Sequence, residues 1–184
     1  MKDNQIIKLL SIAIHVIILN GCNGGGGVTS SSINGSNSLK VEKTAELISN
    51  PTASLIQTSD GAFYGTAAYS GSFGGGYGAV FKVSPTGVTS IVHYFSSGND
   101  GANPMAALVK ASNGLLYGTT QYGGEFNSGT VFTIDPTNNN AESVIYSFHS
   151  NKFGNGGDGY RPMASLIEAS NGLLYGTTEY GGFG

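Results

Sequence analysis

Ser112-Asn113-Gly114-Leu115-Leu116-Tyr117-Gly118-Thr119 is the middle of three near-copies. Ser59-Asp60-Gly61-Ala62-Phe63-Tyr64-Gly65-Thr66 precedes it, and Ser170-Asn171-Gly172-Leu173-Leu174-Tyr175-Gly176-Thr177 follows. Asp-Gly or Asn-Gly tolerates the positive φ angles of a two-residue hairpin turn, and the flanking residues alternate as strands do, so each copy predicts a β-hairpin. The tyrosines lie 53 and then 58 residues apart. That period holds about four short strands with their turns, the length of one propeller blade.

Working outward, the first repeat predicts strands near 53–57, 63–69, 79–83 and 89–95, and the second near 106–110, 115–122, 130–134 and 142–148. Turn chemistry separates them: Ser84-Pro85-Thr86-Gly87 and Asp135-Pro136-Thr137-Asn138 join the third and fourth strands, and Gly/Asp/Asn-rich connections lead to the next proline. The expected fold is all-β: a β-propeller-like array of four-stranded antiparallel blades, incomplete at about two and a half repeats. The repeats are placed at 51–103, 104–161 and 162–184 within a domain spanning 39–184. Closed propellers use about four to eight blades, so a partial gene product is expected here, with open sheet edges inviting self-association.

Thirty glycines, ten tyrosines, nine phenylalanines, no tryptophan and only 10% charged residues describe a turn-rich β protein. Net charge is −3 over the whole chain, and without residues 1–21 six basic and ten acidic groups leave −4. Nucleic-acid binding is disfavoured, because phosphate neutralisation needs clustered Lys and Arg. A single cysteine, Cys22, makes neither an internal disulfide nor a multi-cysteine metal site.

Its position points elsewhere. Lys2 and Lys8 lead into an eleven-residue apolar run, Leu9 to Leu19, broken by Ser11 and His15. As a helix that run reaches about 17 Å, short of a hydrocarbon core of about 30 Å, so it reads as a signal-peptide core over 1–21. Leu19-Asn20-Gly21-Cys22 resembles the lipobox of bacterial lipoproteins. That resemblance makes Cys22 the lipidated mature N-terminus and implies stable membrane anchoring by several acyl chains. The alternative is an ordinary secretory leader with a chance cysteine. Asn23 in place of Asp implies an outer-membrane or cell-surface destination. Residues 22–38 read as a Gly/Ser tether with a reach of about 20–24 Å.

Tyr117-Gly118-Thr119-Thr120-x-Tyr122-Gly123-Gly124, its copy from Tyr175 to Gly182, Gly129-Thr130-Val131-Phe132-x-Ile134, Tyr146-Ser147-Phe148 and Asp158-Gly159-x-x-Pro162 together resemble the Gloeo/Verruco tandem repeat. That family belongs to the "choice-of-anchor" bacterial surface proteins. The resemblance covers 51–184 and implies a secreted, anchored repeat array with no catalytic residues to carry over. The Asn-Gly-Leu-Leu-Tyr-Gly-Thr core is also similar to propeller repeats of bacterial sensor proteins. Repeat one departs from the pattern at 67–71 and 78–81, as a terminal unit does.

Asp100 and Asp158 share the Asp-Gly-x-x-Pro position and read first as turn formers. Calcium ligation and a carboxylate pair for glycoside chemistry are the sharper alternatives. His93 and His149 do not align between repeats, so a shared metal site is not expected. The Gly74-Gly75-Gly76 run lacks the Lys-Ser/Thr follower of a phosphate cradle. Tyr64, Tyr117 and Tyr175 read as packing between blades. Tyr69, Tyr122 and Tyr180, beside glycine-rich loops, are the candidate ligand-binding residues, with rings suited to stacking on a sugar face. The functional expectation is a lipid-anchored extracytoplasmic module, non-catalytic and without cofactor or metal, binding carbohydrate or protein or serving as a structural repeat. The alternatives are an extracellular carbohydrate-active enzyme and the sensor fragment of a signalling propeller.

Overall fold

The computed structural model describes residues 7–11, 15–19, 48, 50–51, 53–70, 76–149 and 157–181. They divide into two units, Met1–Glu46 and Leu47–Gly184. In the first, β1 (Ile7–Ser11) pairs antiparallel with β2 (His15–Leu19), Ile7 opposite Leu19 and Ser11 opposite His15. The described residues of the apolar run are thus strand rather than the helix whose length was weighed above, as its Ile and Val content favours. Cys22 and the 22–38 tether lie outside the described residues, as does most of the Gly74–Gly76 run. Among the described residues no helix is long and apolar enough to cross a membrane.

The second unit is built from the repeats. In repeat one, β3 (Ile56–Gln57), β4 (Phe63–Ala67), β5 (Ala79–Val83) and β6 (Thr89–Tyr94) form an antiparallel meander in that order. Repeat two repeats it with β7 (Val109–Lys110), β8 (Leu116–Thr120), β9 (Thr130–Asp135) and β10 (Ala141–Ser147). In repeat three, β11 (Tyr160–Pro162) pairs with β14 (Thr178–Tyr180), and β12 (Ile167–Glu168) with β13 (Leu174–Tyr175). The fold is all-β, with four-stranded antiparallel sheets in a propeller-like array that does not close among the described residues.

The hairpin turn differs from the expected two-residue form. Gly61 N–H donates to Thr58 O at 2.9 Å, and Thr58 N–H donates to Ala62 O at 2.9 Å. The same two bonds close Ala111 to Leu115 and Ala169 to Leu173. Positive φ falls on Gly61, Gly114 and Gly172 alone, at 79°, 86° and 78°, not on the Asp or Asn before them. This is the three-residue loop, a type I turn closed by a left-handed glycine. The side chain decides it: Asp60, Asn113 and Asn171 each accept the N–H two residues on, at 3.0–3.2 Å, which holds their own backbone in the right-handed turn.

The glycine of Tyr-Gly-Thr has a different reason. Gly65 and Gly118 have no positive φ. A Cβ on Gly118 would meet Phe132 Cζ at 2.4 Å, and one on Gly65 would meet Phe81 Cζ at 2.6 Å. The third-strand phenylalanine lies flat on this backbone, and any side chain would lift it.

The core sits between blades. Tyr64, Val80 and Phe95 of repeat one cluster with Leu108, Leu116, Phe132 and Ile134 of repeat two, with Phe95 edge-on to Phe132 at 5.1 Å. Thr66 Oγ1 donates to Ala106 O at 2.8 Å, and the Tyr64 hydroxyl donates to Asn140 Oδ1 at 2.6 Å. Tyr64 is therefore an interblade residue with no exposed surface. Tyr117 is half-buried and Tyr175 is half exposed; each hydroxyl accepts from its own turn's Asn113 or Asn171.

Candidate functional site

The Asp-Gly-x-x-Pro segments pair with the next repeat. Ala102 and Tyr122 exchange backbone hydrogen bonds at 2.7 and 3.0 Å, and Tyr160 faces Tyr180 in the β11–β14 pair. The residue before each repeat-opening proline, Pro51, Pro104 and Pro162, is left-handed: Asn50, Asn103 and Arg161 have φ of 52°, 56° and 57°. Asn accepts this conformation readily; for other L-residues it costs about 1–2 kcal/mol. Arg161 is held there by its surroundings.

Its guanidinium carbon lies 5.0 Å from the Tyr122 ring centre and 5.6 Å from that of Tyr180. Glu179 Oε2 lies 3.7 Å from Arg161 Nη1, and the Tyr160 ring stacks on Tyr180 at 5.0 Å with 22° between planes. Cation–π contacts of about 0.5–1 kcal/mol each offset much of the backbone cost. A hydrogen bond to Glu179 raises the Tyr180 hydroxyl above the usual phenol range. The result is a partly exposed aromatic and guanidinium platform at the ends of neighbouring repeats, with Tyr180 46% exposed.

Of the predicted tyrosines, Tyr122 and Tyr180 meet across Arg161. Tyr69, half exposed, holds the matching place one repeat back, where Asn103 Nδ2 donates to the Ala68 carbonyl at 2.9 Å. Sequence reasoning missed Arg161 and Tyr160. The signal was the position before proline, where Arg161 replaces the asparagine of the two earlier repeats.

The acids have local roles. Asp100 accepts from Ser96 N–H at 2.9 Å and Ser96 Oγ at 2.6 Å, Asp158 accepts from His149 N–H at 2.8 Å, and Asp135 caps its own turn through Thr137. Asp100 Oδ2 also lies 3.2 Å from His93 Nε2, and Glu142 lies within electrostatic reach of both. Burial raises the Glu142 pKa; His93 lowers it less, and Asp100 adds to the rise. Its buried Oε1 has no hydrogen-bond partner. Among the described residues no cluster of His, Cys, Asp and Glu could hold a metal ion.

A family model for the Gloeobacter/Verrucomicrobia repeat matches residues 18–184. The chain belongs to this repeat family. Its recurring Tyr-Gly-Thr, Val-Phe and Asp-Gly-x-x-Pro elements are the second hairpin strand, the phenylalanine on glycine and the segment that pairs with the next repeat. No curated protein matches the chain in sequence. Among solved structures, a provisionally assigned gluconolactonase is similar, at 14% identity and a TM-score of 0.45, over 76% of this chain and 47% of that one. The chain thus spans about half the length of that protein.

Proposed function

We propose that this member of the repeat family is an exported, lipid-anchored module that binds a ligand at the cell surface without catalysing a reaction, the ligand being carbohydrate or a protein. Export and anchoring are supported by the leader-like 1–21, by Leu19-Asn20-Gly21-Cys22 and by the tether that follows. The domain limits follow: leader 1–21, lipidated Cys22 and tether to 38, repeats thereafter. Incorporation of labelled fatty acid, lost on Cys22→Ala, tests the anchor, and label retained by that variant refutes it.

The observation that carries the binding reading is the platform of Tyr122, Arg161, Tyr160 and Tyr180. Flat aromatic faces stack on sugar rings, and a guanidinium adds donors for hydroxyls or carboxylates. The non-catalytic reading is supported by the engagement of Asp60, Asp100, Asp135 and Asp158 in turns and loops and of Glu179 with Arg161. A glycan array tests the site. Binding should fall about tenfold or more with Tyr180→Ala and Tyr122→Ala. Binding that neither substitution alters removes the reading.

A further inference from the structure

Arg161 is the chain's single arginine, and it stands in a backbone conformation that the other two repeats give to asparagine, at Asn50 and Asn103. A left-handed arginine, where a less strained residue serves twice in the same chain, marks a position kept for its side chain. The junction between repeats one and two has the same backbone without the charge. There Asn103 gives its amide to the Ala68 carbonyl at 2.9 Å, a bond within the fold.

The Arg161 guanidinium is held but not saturated by carboxylate. Glu179 Oε2 stands 3.7 Å from Nη1, beyond hydrogen-bond length, and the two side chains are 36% and 35% exposed. Among the described residues no other carboxylate pairs with it. The fork is planar and matches the two oxygens of a carboxylate. Tyr122 and Tyr180, at 5.0 and 5.6 Å, keep that plane in place, so less rotamer freedom is lost when a ligand arrives.

The charge count narrows the ligand. Acidic peptides are held by clusters of arginine, whereas this site has one, with Glu179 beside it, on a chain of net charge −3. A densely anionic partner is repelled. One carboxylate on an otherwise uncharged ring suits the site, the ring lying on a tyrosine and the carboxylate on the fork. We propose, resting on the carbohydrate reading above, that Arg161 selects glycans bearing a uronic acid, its guanidinium pairing with the sugar's carboxylate while the neighbouring tyrosine rings carry the sugar.

The probes are labelled trisaccharides ending in glucuronic, galacturonic or mannuronic acid, each with its carboxyl-reduced neutral counterpart, and a tetra-aspartate peptide. Each is added to the full chain and followed by fluorescence anisotropy. At least one acid sugar should bind about tenfold or more tighter than its neutral counterpart, and Arg161→Asn should remove that preference. The variant carries the residue that the other repeats use here, and its melting curve checks the fold. Glu179→Gln removes the resident competitor and should tighten acid binding about threefold while leaving neutral binding unchanged, a response that a purely structural Arg161 would not give. Acid and neutral sugars bound alike, with binding lost in Tyr122→Ala, would keep the carbohydrate reading and overturn this inference. A preference that survives Arg161→Asn overturns it too. Binding of the peptide without any sugar assigns the site to a protein partner and overturns it, and binding of no probe overturns both readings.

Discussion

Gly118→Ala puts a single methyl group under the Phe132 ring, and the three repeats supply their own controls. The new Cβ would stand 2.4 Å from Phe132 Cζ and 2.8 Å from Leu108 Cδ2. Carbon atoms rest at about 3.5–4.0 Å, so the ring must retreat by about 1 Å or more. It has nowhere to go: Phe132 is fully buried and edge-on to Phe95 at 5.1 Å. Overpacking of this kind costs about 1–3 kcal/mol, and the absence of slack places Gly118→Ala toward the upper end. At about 4 °C per kcal/mol for a unit of this size, the melting temperature should fall by about 8–12 °C. Gly65→Ala, with Phe81 Cζ and Leu55 Cδ2 both at 2.6 Å, should behave alike. Gly176→Ala meets only a leucine terminus, and loss of glycine's unfolded-state freedom returns about 0.4–1 kcal/mol, so its melting temperature should change by about 4 °C at most. Calorimetry on the three variants reads the difference. Equal shifts at 118 and 176 would refute the claim that the ring, rather than the strand backbone, demands glycine.

Tyr64→Phe deletes the hydroxyl that donates to Asn140 across the first interface and should cost about 1 kcal/mol, seen as a fall of about 4 °C in melting temperature; an unchanged melting curve would show that this bond contributes nothing. Glu142 has its pKa raised above 4.5, chiefly by burial, so the folded state holds the proton more tightly than the unfolded one. Its contribution is favourable below pH 4.5 and is lost as pH rises through the higher folded value. Glu142→Gln should therefore raise stability at pH 7 and leave it little changed at pH 4, by urea titration at both; a loss at pH 7 would mean that the charge is stabilised by His93. Arg161→Asn installs the residue found before Pro51 and Pro104, exchanging a backbone cost of about 1–2 kcal/mol for two cation–π contacts. Its melting temperature should move by about 4 °C at most while glycan binding falls with the platform; a large drop in stability with binding intact would make Arg161 a structural residue alone.

In repeats one and two, strand identity, strand order and the positions of the turns were written in the sequence, because hairpin loops and alternating apolar residues are local signals with a period of two; β1, β2 and β11 were not, since the first two lie in a run read as a leader and the third in a Gly/Asp/Asn-rich connection. Ala79–Val83 was located to the residue, and Thr89–Tyr94 and Thr130–Asp135 to within one. The turn type was misread because Asp-Gly and Asn-Gly suit both hairpin loops, and the hydrogen bond that separates them closes one residue further out. What packs between repeats was not legible. The value of Gly118 depends on a phenylalanine fourteen residues away, and that of Arg161 on two tyrosines from different repeats. Tyr64, Tyr117 and Tyr175 are one residue in sequence terms, yet their exposure runs from none to half. Periodicity determined the repeated unit; only the tertiary structure decided which faces are covered, because burial of a blade belongs to its neighbour's side chains and not to its own.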